Sequence, residues 1–180
     1  MTQAQLRRDE GSPSQRIGGA NWRDAVQTFV AQNPRARAID IAAALGCTEA
    51  QALSALSDVA WDIPAADLPQ VLSEVRAWER MMVLVRNQDA VAEVEVAGAG
   101  GYVNGDWLNW FGEGYNLHIR IGATHQILAL VRPGKRGPTY SLNLVNREGL
   151  VFCRFYTRSQ ADSERFLRFC GTYEVGKEEV

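Results

Sequence analysis

Apolar residues recur at helical spacing in the first half of the chain. Residues 22–30 predict a short amphipathic helix, and residues 68–77 predict another. Between them, residues 36–56 read ARAIDIAAALGCTEAQALSAL, where Gly46 suits a helix C-terminus and Thr48 can cap the helix that follows. This stretch therefore predicts a helix-turn-helix.

From Trp78 the pattern changes to short runs rich in Val, Ile, Leu and aromatic residues. About seven or eight strands are predicted. The runs are WERMMVLVRN, AVAEVEV, YVNG, DWLNWFG, YNLHIRI, THQILALVR, PTYSLNLVN and LVFCRFYTR. Connections such as residues 146–149 are too short for helical crossovers, so neighbouring strands are expected to pair antiparallel in a long meander. The GAGG segment at 98–101 fits a hairpin turn.

The fold class predicted from this order is α+β, with one domain after a polar arm. Residues 1–20 have almost nothing to bury and predict a flexible arm. In the final helix, Ser159 is the expected cap, and Phe166, Leu167 and Phe169 are the expected buried face. The predicted domain, 21–180, has a helical part (21–77, with a connection at 61–66), a sheet (78–158) and a C-terminal helix (159–170).

Residues 115–131, YNLHIRIGATHQILALV, contain both histidines of the chain and predict two strands joined by a tight turn at Gly122-Ala123. Alternation in the first strand places His118 and Arg120 together on a polar face. His125 shares parity with apolar residues of the second strand, so it is expected to be the more buried of the two.

Composition and charge exclude several classes of partner. The chain has 46% hydrophobic residues and a formal net charge of -2, so it has a core to bury and no general attraction to nucleic acid or anionic lipid. Three widely spaced cysteines favour a reducing compartment. No apolar run is long enough for a membrane helix or a secretory signal, so the cytoplasm is the expected location.

A helix-turn-helix raises the possibility of DNA binding. Such a role needs cationic or polar groups early on the second helix, where they reach phosphates and bases. Here Glu49, Gln51 and Ser54 are expected at its exposed positions, without a lysine or arginine. Packing is therefore the preferred interpretation, and DNA is not an expected partner.

Four strings, taken in order and spacing, carry a resemblance to a known family. They are ARAIDIAAALGCTEAQAL, VRNQDAVAEVEV, YNLHIRIGATHQILAL and SLNLVNREGLVFCRFYTR. Together they resemble the cytosolic haem-utilisation proteins of the HemS/ChuS and ChuX/HutX type over residues 36–169. Because the chain contains one such unit without an internal repeat, it is similar to the single-unit ChuX/HutX type, which implies a homodimer.

The resemblance implies haem as the cofactor and suggests residues for its site. His118 matches a basic residue of the family's central strand and is the candidate iron ligand, with a solvated surface histidine as the alternative. Arg154 and Arg86 match basic positions that can hold propionates, although a solvated edge charge is the preferred interpretation of Arg86. His125 is more often a core residue at such a place. The candidate haem-binding residues are His118, Arg120, Arg154, Arg86, Tyr115 and His125.

Three functions remain open at this stage. The first is a haem carrier that hands its cargo to a downstream haem-degrading protein, and the second is an enzyme acting on haem or a linear tetrapyrrole. The third is a dimeric interaction or regulatory module without haem, because Asp106 stands where the family often has a ligand tyrosine. For the aromatic run DWLNWFGEG, with Trp107, Trp110 and Phe111, a dimer seam is the preferred interpretation, and the alternatives are a wall of the haem site or a turn packed on the sheet. No catalytic motif is recognised.

Overall fold

The structure is a computed structural model that describes residues 22–87 and 89–173. Over these residues the chain forms five α-helices and nine β-strands. The arm expected at 1–20 lies outside the described residues. The helices are α1 (Trp22–Gln32), α2 (Ala38–Leu45), α3 (Glu49–Ala55), α4 (Leu68–Arg76) and α5 (Gln160–Cys170).

The predicted helix-turn-helix is formed by α2 and α3, and its turn residues act as expected. Gly46 adopts the left-handed conformation, with φ of 66°, at the end of α2. Thr48 caps α3, since its Oγ1 accepts from the Gln51 backbone N–H at 3.1 Å and its own N–H donates to Gln51 Oε1 at 2.9 Å. Ser159 caps α5, since its Oγ accepts from the Asp162 backbone N–H at 3.1 Å. Leu167 of α5, expected to be buried, is 41% exposed.

The strands form two antiparallel sheets. The strands of the larger sheet are β1 (Val59–Ile63), β2 (Met81–Arg86), β3 (Val91–Val96), β7 (Gln126–Arg132), β8 (Thr139–Val145) and β9 (Val151–Thr157). Those of the smaller sheet are β4 (Tyr102–Asn104), β5 (Trp107–Gly112) and β6 (Tyr115–Arg120). The large sheet has the order β1-β7-β8-β9-β2-β3, and the small sheet has the order β4-β5-β6. The α+β class and antiparallel pairing are therefore confirmed.

Two local expectations are wrong because connections carry the chain between sheets. After β6 a short 3-10 turn, Ile121–Ala123, leads to the large sheet, where β7 pairs with β1 and β8 rather than with β6. The Ile121 N–H donates to the Asp106 carbonyl at 2.8 Å, which ties the end of β6 to the small sheet. The segment expected as a hairpin turn likewise contains a 3-10 turn, Gly98–Gly100, between β3 and β4. Of the expected connection at 61–66, residues 61–63 belong instead to strand β1, and a 3-10 turn begins at residue 65.

The two sheets enclose the main core. It includes Trp110 and Leu117 from the small sheet and Phe155 from the large sheet, and the Trp110 and Phe155 rings lie 6.1 Å apart. Helices α4 and α5 contribute to the same core. A second core lies on the other face of the large sheet, where α1 to α3 cover residues such as Leu128. Within the described ranges, no helix combines the length and apolarity that crossing a bilayer requires.

Candidate functional site

The outer face of the small sheet combines a histidine, a cation and exposed aromatic rings. His118 and Arg120 point away from the core, as their parity predicts. In the strand register, Arg120 lies opposite Trp107, which is 45% exposed. Phe111 is 53% exposed and meets the His118 ring edge-on at 5.3 Å. Phe111 also stacks with Tyr102 at 6.0 Å, so exposed aromatic rings lie beside the histidine.

The hydrogen bonds around His118 define which ring nitrogen is available. Asn109 lies opposite His118 in the register and is buried. Its Nδ2 donates to the Trp107 carbonyl at 3.0 Å, which turns its Oδ1 toward His118 Nδ1 at 2.7 Å. An amide oxygen only accepts, so a neutral His118 carries its proton on Nδ1 and keeps a lone pair on Nε2. This is the tautomer in which a histidine binds a metal through Nε2.

Tyr115 and His125 lie elsewhere. Tyr115 is half-buried on the core side of β6, where its ring covers Gly112 so closely that a Cβ there would collide. His125 is exposed, so the expectation that it would be packed is wrong. Strand β7 starts only at Gln126, and His125 precedes it, with its backbone N–H donating to the Val145 carbonyl at 2.8 Å.

Trp110 differs from the other aromatic residues of its run. It is 1% exposed and belongs to the main core, so the expectation that it lies at a dimer seam is wrong. Trp107 and Phe111 have the opposite parity on β5, and both are exposed. Only these two rings of the run are therefore available to a ligand or a partner.

Arg86 and Arg154 meet on a buried carboxylate beneath the helices. Glu49 of α3 accepts from Arg154 Nη2 at 2.7 Å and from Arg86 Nη1 at 2.9 Å. The side chains of Glu49 and Arg86 are 1% and 12% exposed. The exposed position expected for Glu49 and the solvated edge charge preferred for Arg86 are therefore both wrong. The physical reason is that α3 packs on the large sheet, so the first turn of this helix faces the strands.

The sandwich separates these two groups of residues. Leu117 of β6 and Phe155 of β9 both enter the main core. Their neighbours His118 and Arg154 have the opposite parity, so they point away from the core on opposite sides of the molecule. Arg86 shares the outer side with Arg154 through their common partner. The sequence predicted that all these residues serve one site, but within a single chain they form two separate surfaces.

The cysteines do not add to either surface. Burial raises the pKa of the Cys153 thiol, and it raises the pKa of Cys170 to about 12. Burial also raises the pKa of the half-buried Cys47. All three thiols are thus protonated at neutral pH. Among the residues that the structure describes, no group of three or more His, Cys, Asp or Glu side chains is placed to hold a metal ion.

Solved structures share this α+β fold. ChuX superposes with a TM-score of 0.66 and 19% identity, over 82% of this chain and 96% of ChuX. Holo-PhuS, a heme-binding protein from Pseudomonas aeruginosa, superposes with a TM-score of 0.75 and 19% identity, over 94% of this chain and 48% of PhuS. The heme degrading enzyme ChuS of Escherichia coli O157:H7 superposes with a TM-score of 0.71 and 19% identity, over 83% of this chain and 46% of ChuS. The chain thus corresponds to about half of PhuS or ChuS.

A family model supplies the identification. The model for haem utilisation ChuX/HutX matches residues 61–169, which is more than half of the 180 residues. The chain therefore belongs to the ChuX/HutX haem-utilisation family, and the resemblance drawn from the sequence is confirmed. The match begins in β1 and ends within α5, so it covers both sheets and leaves out the helix-turn-helix. No curated protein sequence matches the chain.

Proposed function

We propose that this protein is a haem carrier that binds haem on the outer face of the small sheet, with His118 as the iron ligand. The observation that best supports it is the orientation of His118, whose Nδ1 is held by Asn109 at 2.7 Å while Nε2 keeps its lone pair. A haem site also needs a broad apolar wall and cations for the propionates. Trp107 and Phe111 would supply the wall, and Arg120 would bind a propionate.

An open sheet face can cover only one side of a haem. We therefore propose a homodimer in which a second copy of the chain covers the exposed rings of Tyr102, Trp107 and Phe111. The proposal places Arg86 and Arg154 in this site only when the second copy presents them, because each chain carries them on its opposite side. Tyr115 and His125 are proposed as supporting contacts. We place the carrier in the cytoplasm, where a haem-degrading protein would receive the haem.

Haem titration followed by absorbance tests this function. Purified protein is expected to give a saturable Soret band at one haem per chain, and His118→Ala is expected to lose it. His125→Ala is the comparison variant for the other histidine of the chain, and it should keep the Soret band, because His125 is proposed as a supporting contact and not as the iron ligand. No Soret change at stoichiometric haem would contradict the proposal, and so would an unchanged titration of His118→Ala.

The same sample separates a carrier from an enzyme. A carrier keeps the spectrum of its bound haem when a physiological reductant and oxygen are added. Steady loss of that spectrum, with a new band of a linear tetrapyrrole, would assign the protein as a haem-modifying enzyme instead.

A further inference from the structure

Asn109 is a buried amide on the outer face of the small sheet. It is 6% exposed, although the alternation of β5 directs its side chain away from the core. In the strand register it lies opposite Tyr102 on one side and opposite His118 on the other. Phe111, two positions further along β5, contacts the rings of both of these residues. The amide is thus largely removed from water, where a hydrogen bond is electrostatically stronger than in solvent.

The backbone of β5 determines which end of this amide meets His118. Asn109 Nδ2 donates to the Trp107 carbonyl at 3.0 Å, and Asn109 Oδ1 lies 2.7 Å from His118 Nδ1. A carboxylate at position 109 would have no N–H group to donate to that carbonyl. The local backbone therefore favours a neutral acceptor for the Nδ1 proton of His118.

The charge of that acceptor influences any iron bound at Nε2. Among residues 22–87 and 89–173, no carboxylate forms an ion pair with His118. A carboxylate that accepts from a metal-binding histidine raises the basicity of its imidazole, and a neutral amide does so less. A more basic imidazole stabilises ferric iron more than ferrous iron, because ferric iron carries the larger positive charge. The acceptor at Nδ1 therefore affects which oxidation state the site prefers.

We propose that Asn109 determines the oxidation state of the haem that this site accepts. Its neutral amide keeps His118 a ligand of moderate basicity, so the site retains ferrous haem instead of selecting the ferric form. The inference rests on the proposed function, in which His118 Nε2 is the iron ligand. Asn109 acts through His118 and is a positioning residue. A site of this kind keeps its haem when the iron is reduced.

The midpoint potential of bound haem, measured by spectroelectrochemistry, tests this role. Asn109→Asp gives His118 Nδ1 a charged acceptor, so the ratio of ferric to ferrous haem affinity should rise by about tenfold. For a one-electron couple, that ratio lowers the potential by about 59 mV. Asn116→Asp is the matched control, because Asn116 is exposed on the same face of β6 and its replacement adds the same charge while Asn109 stays in place. Its potential should remain close to that of the natural chain.

NMR of the haem-free protein tests the same role without a bound ligand. Two-bond ¹H–¹⁵N correlations of the His118 ring report which nitrogen carries the proton. The natural chain should show a single tautomer with the proton on Nδ1, and Asn109→Leu should show a mixture of both tautomers. A proton on Nε2 in the natural chain, or an unchanged tautomer in Asn109→Leu, would overturn the proposal.

Failure of haem binding and failure of this role give different results. Absence of a Soret band in the natural chain contradicts the proposed function, and this inference with it. If the natural chain binds haem but its potential is unchanged in Asn109→Asp, or falls equally in Asn116→Asp, the role of Asn109 alone is overturned. Loss of ferric haem from Asn109→Asp also overturns that role, because a charged acceptor should strengthen the bond from His118 to ferric iron.

Discussion

Replacement of Glu49 by alanine is expected to destabilise the fold by about 4 kcal/mol, because removing one partner of a buried ion pair costs roughly 3–5 kcal/mol. Glu49 accepts from Arg154 and Arg86, and also from the buried Val151 N–H at 3.0 Å. The alanine variant leaves two arginines and one amide without their acceptor. The contributions are not additive, so the range for a single broken pair is the appropriate estimate.

Urea unfolding followed by tryptophan fluorescence measures this loss. Asp40→Ala is the control, because it breaks the Arg37–Asp40 pair at 2.9 Å, whose side chains are 67% and 44% exposed. An exposed pair of this kind contributes little to stability, so Asp40→Ala should unfold close to the natural chain. Glu49→Gln keeps the shape of the side chain and one acceptor oxygen, so its loss of unfolding free energy should lie between those of Glu49→Ala and Asp40→Ala. If Glu49→Ala unfolds within about 1 kcal/mol of the natural chain, the reasoning about the buried carboxylate is refuted.

Two further predictions separate packing from function on β5. Trp110→Ala should lower the free energy of unfolding by roughly 3–5 kcal/mol in the same urea assay, because it leaves a cavity against Phe155. Trp107→Ala should change that free energy by about 0.5 kcal/mol or less, because Trp107 is exposed. Equal losses would contradict the assignment of Trp110 to the core face and Trp107 to the outer face. Asn109→Leu should weaken haem by about 10–100-fold in the absorbance titration, since it releases His118 Nδ1. Asn116→Leu, on the same outer face, should leave the titration unchanged, and an equal loss would contradict the role of Asn109.

Local signals predicted the elements of this fold well. Gly46 and Thr48 define the turn between α2 and α3 through backbone conformation and capping, which depend on neighbouring residues alone. Alternation along β6 correctly placed His118 on an outward face, because alternation also depends on neighbouring residues alone. Fold class and family membership followed from the order of such elements, and both are confirmed.

Pairing between distant segments could not be predicted in the same way. The strand β7 pairs with β1 rather than with β6, because the turn at Ile121–Ala123 and the bond of Ile121 to Asp106 change the sheet. Glu49 has the sequence context of an exposed helix N-terminus, and its burial depends on arginines from β2 and β9. Asn109 was missed because its importance lies in the cross-strand partner His118, which requires the register of β5 and β6.

In the haem proposal, the two faces of the sandwich carry different parts of the site. The small-sheet face carries His118 with exposed rings, and the large-sheet face carries Arg86 and Arg154. The main core lies between these faces, so one ligand can contact both only where two units meet. PhuS and ChuS, of which this chain spans 48% and 46%, have the length to supply two units in one polypeptide. In the haem proposal, a second copy of this chain must supply the second unit. A single copy would leave His118 facing solvent, whereas two copies would enclose the ligand that His118 binds.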